Sequence, residues 1–401
     1  MLVAISLISY VSLLSKDLPD FPSGEYISPE ANIQLEEVVD FSTYTDPITD
    51  IMGRFSFADT ETGEKWRLVL VNSDNITVMM EGEEPRIIGF VFPADNFFIS
   101  HDNVYVVLTS RTATGDNALR INTETGETRL FSCCPEEVWP GTLFVGTSGS
   151  VASWYEGRVA FFDSDLVQQN SVSFRWGFLN GTNDGSVILL GASGSSLSGY
   201  DDQGNLLWAR TDFPRGEQTL GIQVSDSGDE CCRATNYICY RINTHTGETI
   251  SRVNSSSDGY SYGFYCPGSS TLCFASKHQE LRTGSQQTTA HIEMINGTES
   301  TPVTPPYSYD SDMGRTWISP SACSESGLIL YRIYNSSNQI LVLTDNNGDD
   351  LLTFCSDKPE QYVAGTAYGT VHHPSQGEIS DSSKRICIFL PQKLMIYEIG
   401  E

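Results

Sequence analysis

Basic residues are scarce in this 401-residue chain: 23 Lys and Arg, only six of them Lys, stand against 51 Asp and Glu, for a formal net charge of -28. Nucleic-acid binding needs a basic footprint that displaces counterions from phosphates, so that class is excluded. Anionic membrane surfaces are disfavoured for the same reason. Long amphipathic helices are missing as well, because no apolar periodicity of that kind follows residue 16. Nor is there a nucleophile elbow, a phosphate loop, a zinc-hydrolase helix or the paired Cys-x-x-Cys spacing of a zinc ribbon. The acid excess serves solubility, with calcium, a basic partner or a salty habitat as sharper uses.

What remains is the composition of an all-β protein. Gly (34), Ser (48), Thr (33) and Asn (19) punctuate many short β-prone runs. One nine-residue stretch recurs almost unchanged: Arg120-Ile-Asn-Thr-Glu-Thr-Gly-Glu-Thr128 returns as Arg241-Ile-Asn-Thr-His-Thr-Gly-Glu-Thr249. Three units of about 40 residues fit between the copies, the size of a four-stranded propeller blade. Similar strand-turn-strand chemistry near residues 74, 165, 204, 297, 348 and 400 brings the number of turns to eight, with Gly126 and Gly247. The expected fold is an eight-bladed β-propeller of four-stranded antiparallel blades, or a seven-bladed one if 135–174 is an insertion. Because the chain stops just after the last turn, the strand at 33–39 is expected to complete the final blade and close the ring.

The segment Tyr200-Asp-Asp-Gln-Gly-Asn-Leu-Leu-Trp208 resembles the repeat of quinoprotein-like (PQQ-like) propellers, in which a strand ends in Asp, a Gly turns it and a Trp four residues later docks the blade. The Arg120 and Arg241 copies share the Thr-Gly-Glu turn but lack the Trp. The resemblance implies a fold whose members include enzymes and assembly scaffolds. It also brings a quinoprotein oxidoreductase into view, since some such enzymes carry a disulfide between adjacent cysteines against the cofactor. Cys133-Cys134 and Cys231-Cys232 are adjacent here, although bonds to different neighbouring strands explain them equally. PQQ and calcium are the cofactors that resemblance would imply; the residues themselves assign none. Asp310-Ser-Asp-Met-Gly-Arg-Thr-Trp317 is similar to the Asp-box of sialidase-like propellers, a folding turn rather than a catalytic element. His372-His373 reads as a solvated loop pair, and Asp345-Asn-Asn-Gly-Asp-Asp350 as a turn.

Ten cysteines suit an oxidising compartment. Cys266 and Cys273 flank a turn, as do Cys232 and Cys239, so each pair is a local disulfide candidate, joined by Cys133, Cys134 and Cys231. Sequons at Asn75, Asn180, Asn254, Asn296 and Asn335 fall in or beside expected turns. Residues 1–16 form an apolar run with the look of a signal or anchor, or of a retained packing segment; 17–32 read as a linker and 33–401 as the propeller. The function this points to is an exported or cell-surface scaffold for a protein or glycan partner. The alternatives are a subunit of an extracellular filament or surface layer, a homopolymer assembled through the apolar terminus, and the quinoprotein-like oxidoreductase. Catalysis is left undecided, more on the side of none, and no catalytic or metal-binding residue is assigned; membrane contact would be through residues 1–16 alone.

Overall fold

The computed structural model describes residues 16–17, 24–29, 31–40, 55–59, 65–111, 115–135, 141–175, 177–192, 196–214, 219–225, 227–235, 237–254, 259–265, 271–282, 285–303, 307–310, 317–323, 327–334, 339–345, 347–356, 377–379, 385–390 and 393–400. Among them there is no helix, and the strands fall into eight sheets. In chain order these are blade 1 (55–89), blade 2 (96–131), blade 3 (142–173), blade 4 (177–210), blade 5 (219–254), blade 6 (259–310), blade 7 (317–356) and blade 8 (377–399 with Ile33–Asp40). Residues 142–173 make a complete four-stranded antiparallel sheet, so the short unit is a blade and the seven-bladed alternative falls.

The central strands of blades 1 to 5 are largely apolar and buried on both faces, as a sheet sandwiched between two others requires. Trp66–Val71 is buried at every position. Those side chains form one hydrophobic seam per neighbouring pair. Val69 and Ile88 of blade 1 meet Val106 and Leu119 of blade 2, and comparable seams join blades 2 to 3, 3 to 4, 4 to 5, 5 to 6 and 7 to 8. Strands Gly259–Tyr265 and Leu272–Arg282 of blade 6 touch Trp317–Cys323 of blade 7. Trp66 and Leu68 of blade 1 also pack on Cys387 and Ile396 of blade 8, which brings the last sheet back to the first.

Ile33–Asp40 pairs antiparallel with Lys393–Ile399, the pairing expected of the closing strand. The stretch expected as a linker also belongs to the sheets. Gly24–Ile27 adds a fifth strand to blade 7, opposite Leu352–Cys355, and Lys16–Asp17 runs parallel to Tyr307–Ser308 in blade 6. Lys16–Asp17, Gly24–Ile27 and Ile33–Asp40 therefore line the outer edges of blades 6, 7 and 8 in turn, as an arm. Residues 1–15 lie outside the described residues.

The repeated turn owes its form to side-chain capping. Asn122 Oδ1 accepts the backbone N–H of Glu124 and Thr125, and the Gly126 N–H donates to Asn122 O; Asn243 does the same for His245, Thr246 and Gly247. Gly126 and Gly247 stand at φ 78° and 74°, a conformation that a Cβ disfavours. Six of the eight expected turns join the third and fourth strands of a blade, and that near 400 ends the third strand of blade 8. The turn at Asn72-Ser73-Asp74 joins the second and third strands of blade 1 instead. Its acceptor-rich chemistry matches that of the others, but the corresponding turn of blade 1 lies at Gly82 (φ 70°).

One docking rule emerges from these turns. Four residues after the turn residue Gly82, Leu166, Gly204 or Gly247, a side chain donates to a backbone carbonyl in the next blade's turn. Arg86 donates to Thr123 O and Glu124 O, Asn170 to Gly204 O at 3.0 Å, Trp208 Nε1 to Thr244 O at 2.7 Å, and Ser251 to Gly297 O at 3.0 Å. The Trp of the PQQ-like repeat is thus one of several residues filling a single role.

Candidate functional site

The rim of the ring carries what the core leaves over. An outermost strand has one neighbour in its sheet, so alternate residues pack inward and the rest face water. Ile88, Phe131, Trp208 and Val253 are the inward residues of four such strands. Of eleven exposed large apolar side chains among the described residues, eight lie on outermost strands: Ile87, Leu130, Leu206, Leu207, Ile250, Tyr26, Leu35 and Val38. A monomer's exposed apolar residues are ordinarily scattered, so this concentration marks a surface.

Charge divides that surface in two. The outermost strands of blades 1 to 5 (Arg86–Gly89, Thr128–Phe131, Gln168–Ser173, Leu206–Arg210 and Thr249–Asn254) contain no Asp or Glu and carry Arg86, Arg129, Arg210 and Arg252. In a chain with more than twice as many acids as bases this is a reversal of sign. The arm strand that completes blade 8 carries Glu36, Glu37 and Asp40 instead.

Aromatic rings hold the arginines of blades 4 and 5 in place. Arg210 donates to both carboxylate oxygens of Asp212, at 2.9 and 2.7 Å, which lowers that carboxyl's pKa below its ordinary value. Its guanidinium lies 4.6 Å from the Phe213 ring centre, with buried Arg233 at 4.2 Å from the same ring. Arg252 stands 5.6 Å from the centre of Tyr240, itself edge-on to Phe213. Such contacts fix the direction of a guanidinium without discharging it.

At the acidic side, Arg385 bridges the closing strand to blade 1, with Glu36 at 3.5 Å and Glu81 at 3.0 Å. Partial burial raises the Glu37 carboxyl above its ordinary pKa, and the charges of Glu36 and Glu81 push it the same way. A carboxyl that binds its proton more tightly when folded opposes folding at neutral pH, and this cost fades as pH falls through the folded pKa toward 4.5. Glu37→Gln is accordingly expected to raise Tm at pH 7 and to leave it unchanged below about pH 4, measured by thermal unfolding across pH.

The cysteines sit deep. Cys133 and Cys134 are buried thiols where blade 2 crosses to blade 3, both gripped by Asn117: its Nδ2 donates to Cys134 Sγ at 2.9 Å and its Oδ1 accepts the Cys133 N–H at 2.9 Å. Hydrogen bonds from Cys133 and Asn117 lower the Cys134 pKa, whereas Cys133, donating to its neighbour and buried, is raised. Cys231 is pushed up to about 12 by burial. Adjacent in sequence, Cys231 and Cys232 face opposite seams, toward blade 4 and blade 6, because successive strand residues alternate sides. Cys232 and Cys239 are free thiols on neighbouring strands, with their sulfurs 2.7 Å apart. Cys266 and the side chain of Cys273 lie outside the described residues. Cys323, in blade 7, is disulfide-bonded.

The sequons are unequal. Asn75 opens the third strand of blade 1, while Asn254 and Asn296 are exposed at strand ends. Asn180, expected beside a turn, instead lies in the innermost strand of blade 4 and donates Nδ2 to Ile222 O of blade 5 at 2.9 Å. The Asn-Gly pair that signals a turn here ends a core strand. Asn335, His372-His373 and residues 311–316 of the Asp-box-like stretch lie outside the described residues. Among the described residues no group of three or more His, Cys, Asp or Glu converges as a metal site.

No family model and no curated protein matches the chain. Solved structures do. BamB from Moraxella catarrhalis superposes with a TM-score of 0.52 at 10% identity, over 91% of this chain and 99% of that one. The Dos1 propeller gives 0.52 at 9% identity, over 92% and 95%. KlHsv2, with its loop 6CD replaced by a Gly-Ser linker, gives 0.51 at 8% over 77% and 97%. The fold is a β-propeller. At these identities the likeness concerns the fold alone, and at that level it bears out the PQQ-like resemblance of Tyr200–Trp208. The propeller's rim, with its segregated charge and exposed apolar residues, is the surface on which a functional reading rests.

Proposed function

We propose that this propeller is a non-catalytic interaction scaffold, exported or displayed at the cell surface, which holds a protein partner against the outermost strands of blades 1 to 5. The observation that carries the reading is the row of exposed aliphatic residues, Ile87, Leu130, Leu206, Leu207 and Ile250, on strands without an acidic residue. An edge strand offers unpaired backbone donors and acceptors together with alternate side chains, the two ingredients of recognition by strand addition. Gly24–Ile27, seated on the edge of an already four-stranded blade 7, supports this mode as one the fold accommodates. Export is supported by the ten cysteines and the apolar residues 1–16; intact-mass spectrometry of the native protein reports cleavage, glycans and disulfides together.

The scaffold reading is tested by immobilising the full chain beside two rim variants, Leu130→Lys and Leu207→Lys, then identifying what each retains from the native source. A protein retained by the parent and lost by both variants is the expected result. Identical retention by all three sinks the proposal.

A further inference from the structure

We infer that the partner for the rim of blades 4 and 5 is a second copy of this chain, presenting the acidic arm strand Ile33–Asp40 that closes its own blade 8. This rests on the reading of the outermost strands as a docking surface, and goes further by naming the occupant. Three observations carry it. The arm strand and the two rim strands are terminal in their sheets, with no further strand paired to them among the described residues. All expose aliphatic side chains, Leu35 and Val38 on the arm against Leu207 and Ile250 on the rim. Their charges are opposite: Glu37 and Asp40 on the arm, Arg252 on the rim, with no acid in Leu206–Arg210 or Thr249–Asn254, while Glu36 and Arg210 are already ion-paired to Arg385 and Asp212.

The alternative use of such residues is defensive, since charges on an edge strand discourage aggregation. In a chain of net charge -28, however, acids are the abundant means of defence, and five successive outermost strands have none. The arm strand and the rim strand of blade 5 each carry one bulge, at Glu36 and at Ile250, and run regular beyond it over the four residues 37–40 and 251–254. The two surfaces occupy different parts of one ring. A contact between them is heterologous, and the joined pair keeps one unused surface of each kind, so association propagates rather than stopping at a dimer.

A seam this short makes a weak contact, and its charge makes it salt-dependent. Sedimentation velocity of the full chain is the test, at protein concentrations up to about 1 mM, the weak end of specific association. The expected result is a sedimentation coefficient that rises with concentration and falls back toward the monomer at about 1 M salt, where the Debye length is about 3 Å. Arg252→Glu and Glu37→Arg, both at exposed positions, are each expected to weaken association at least about tenfold, an amount matching 1.4 kcal/mol. An equimolar mixture of the two variants is expected to associate again, in alternating copies, since every seam between unlike variants pairs opposite charges.

A chain that stays monomeric throughout, or an association indifferent to both variants, overturns the inference. The scaffold reading fails separately. If Leu130→Lys and Leu207→Lys abolish capture of another protein while the parent stays monomeric, the scaffold survives and self-association falls. Circular dichroism and Tm of each variant establish that the fold is intact.

Discussion

Trp208→Ala is expected to cost about 3–5 kcal/mol, the range for removing a buried large aromatic side chain, and to lower Tm by several degrees in scanning calorimetry. The indole is nearly buried in the seam between blades 4 and 5, among Leu189, Leu197 and Ile242. Its Nε1 donates to Thr244 O at 2.7 Å, and its ring lies on Gly247, where a Cβ would come within 2.5 Å. Trp208→Phe keeps most of the apolar surface and leaves Thr244 O without that donor, so a smaller loss of about 1 kcal/mol is expected. Gly247→Ala attacks the same contact from the other side, because φ of 74° disfavours any Cβ and the new methyl meets the indole. Its cost is expected to shrink in the Trp208→Ala background, where that clash is gone. Additive losses would show that the turn and the indole act independently.

The same contact explains what the sequence made legible. The Arg120 and Arg241 copies declared themselves because their turns need Asn to cap and Gly to reverse, and few other residues do either. The blade count followed from that chemistry. Docking was harder to see, since the position four residues after the turn requires only a donor long enough to reach the next blade. Arg86, Asn170, Trp208 and Ser251 all meet it, and only the Trp belongs to a familiar motif. Asn72-Ser73-Asp74 misled for the converse reason, as turn chemistry does not record which two strands it joins.

The rim was hidden for another reason. Ile87, Leu130 and Ile250 are indistinguishable by composition from core residues, and only the pairing order shows that their strands are outermost. The absence of acids there became visible once those five short segments could be set side by side. Arg233, fully buried beside Phe213, left no mark in spacing at all.

Deleting residues 1–40 is expected to do more damage than any single substitution, because it removes a strand from the blade that joins the end of the ring to its beginning. Ile33–Asp40 pairs along the whole of Lys393–Ile399, Ile33 is buried with Leu352, Ile386 and Tyr397, and Val39 packs against the seam of Trp66 and Leu68. Two apolar side chains at about 1.5–3 kcal/mol each and about six backbone hydrogen bonds at about 0.5–1.5 kcal/mol each give a loss on the order of 10 kcal/mol. That rivals the entire stability of an ordinary domain. It would also bare the edge of Lys393–Ile399, so light scattering should register aggregation on warming. Deleting only residues 1–31 spares the closing strand and removes pairings on blades 6 and 7, which have five and four strands of their own. Its Tm should stay within a few degrees of the parent. A synthetic peptide of residues 31–42 added to the longer deletion separates closure from mere loss of mass: restored Tm means that the strand closes the ring, and an unchanged one means that the eighth blade does not depend on it.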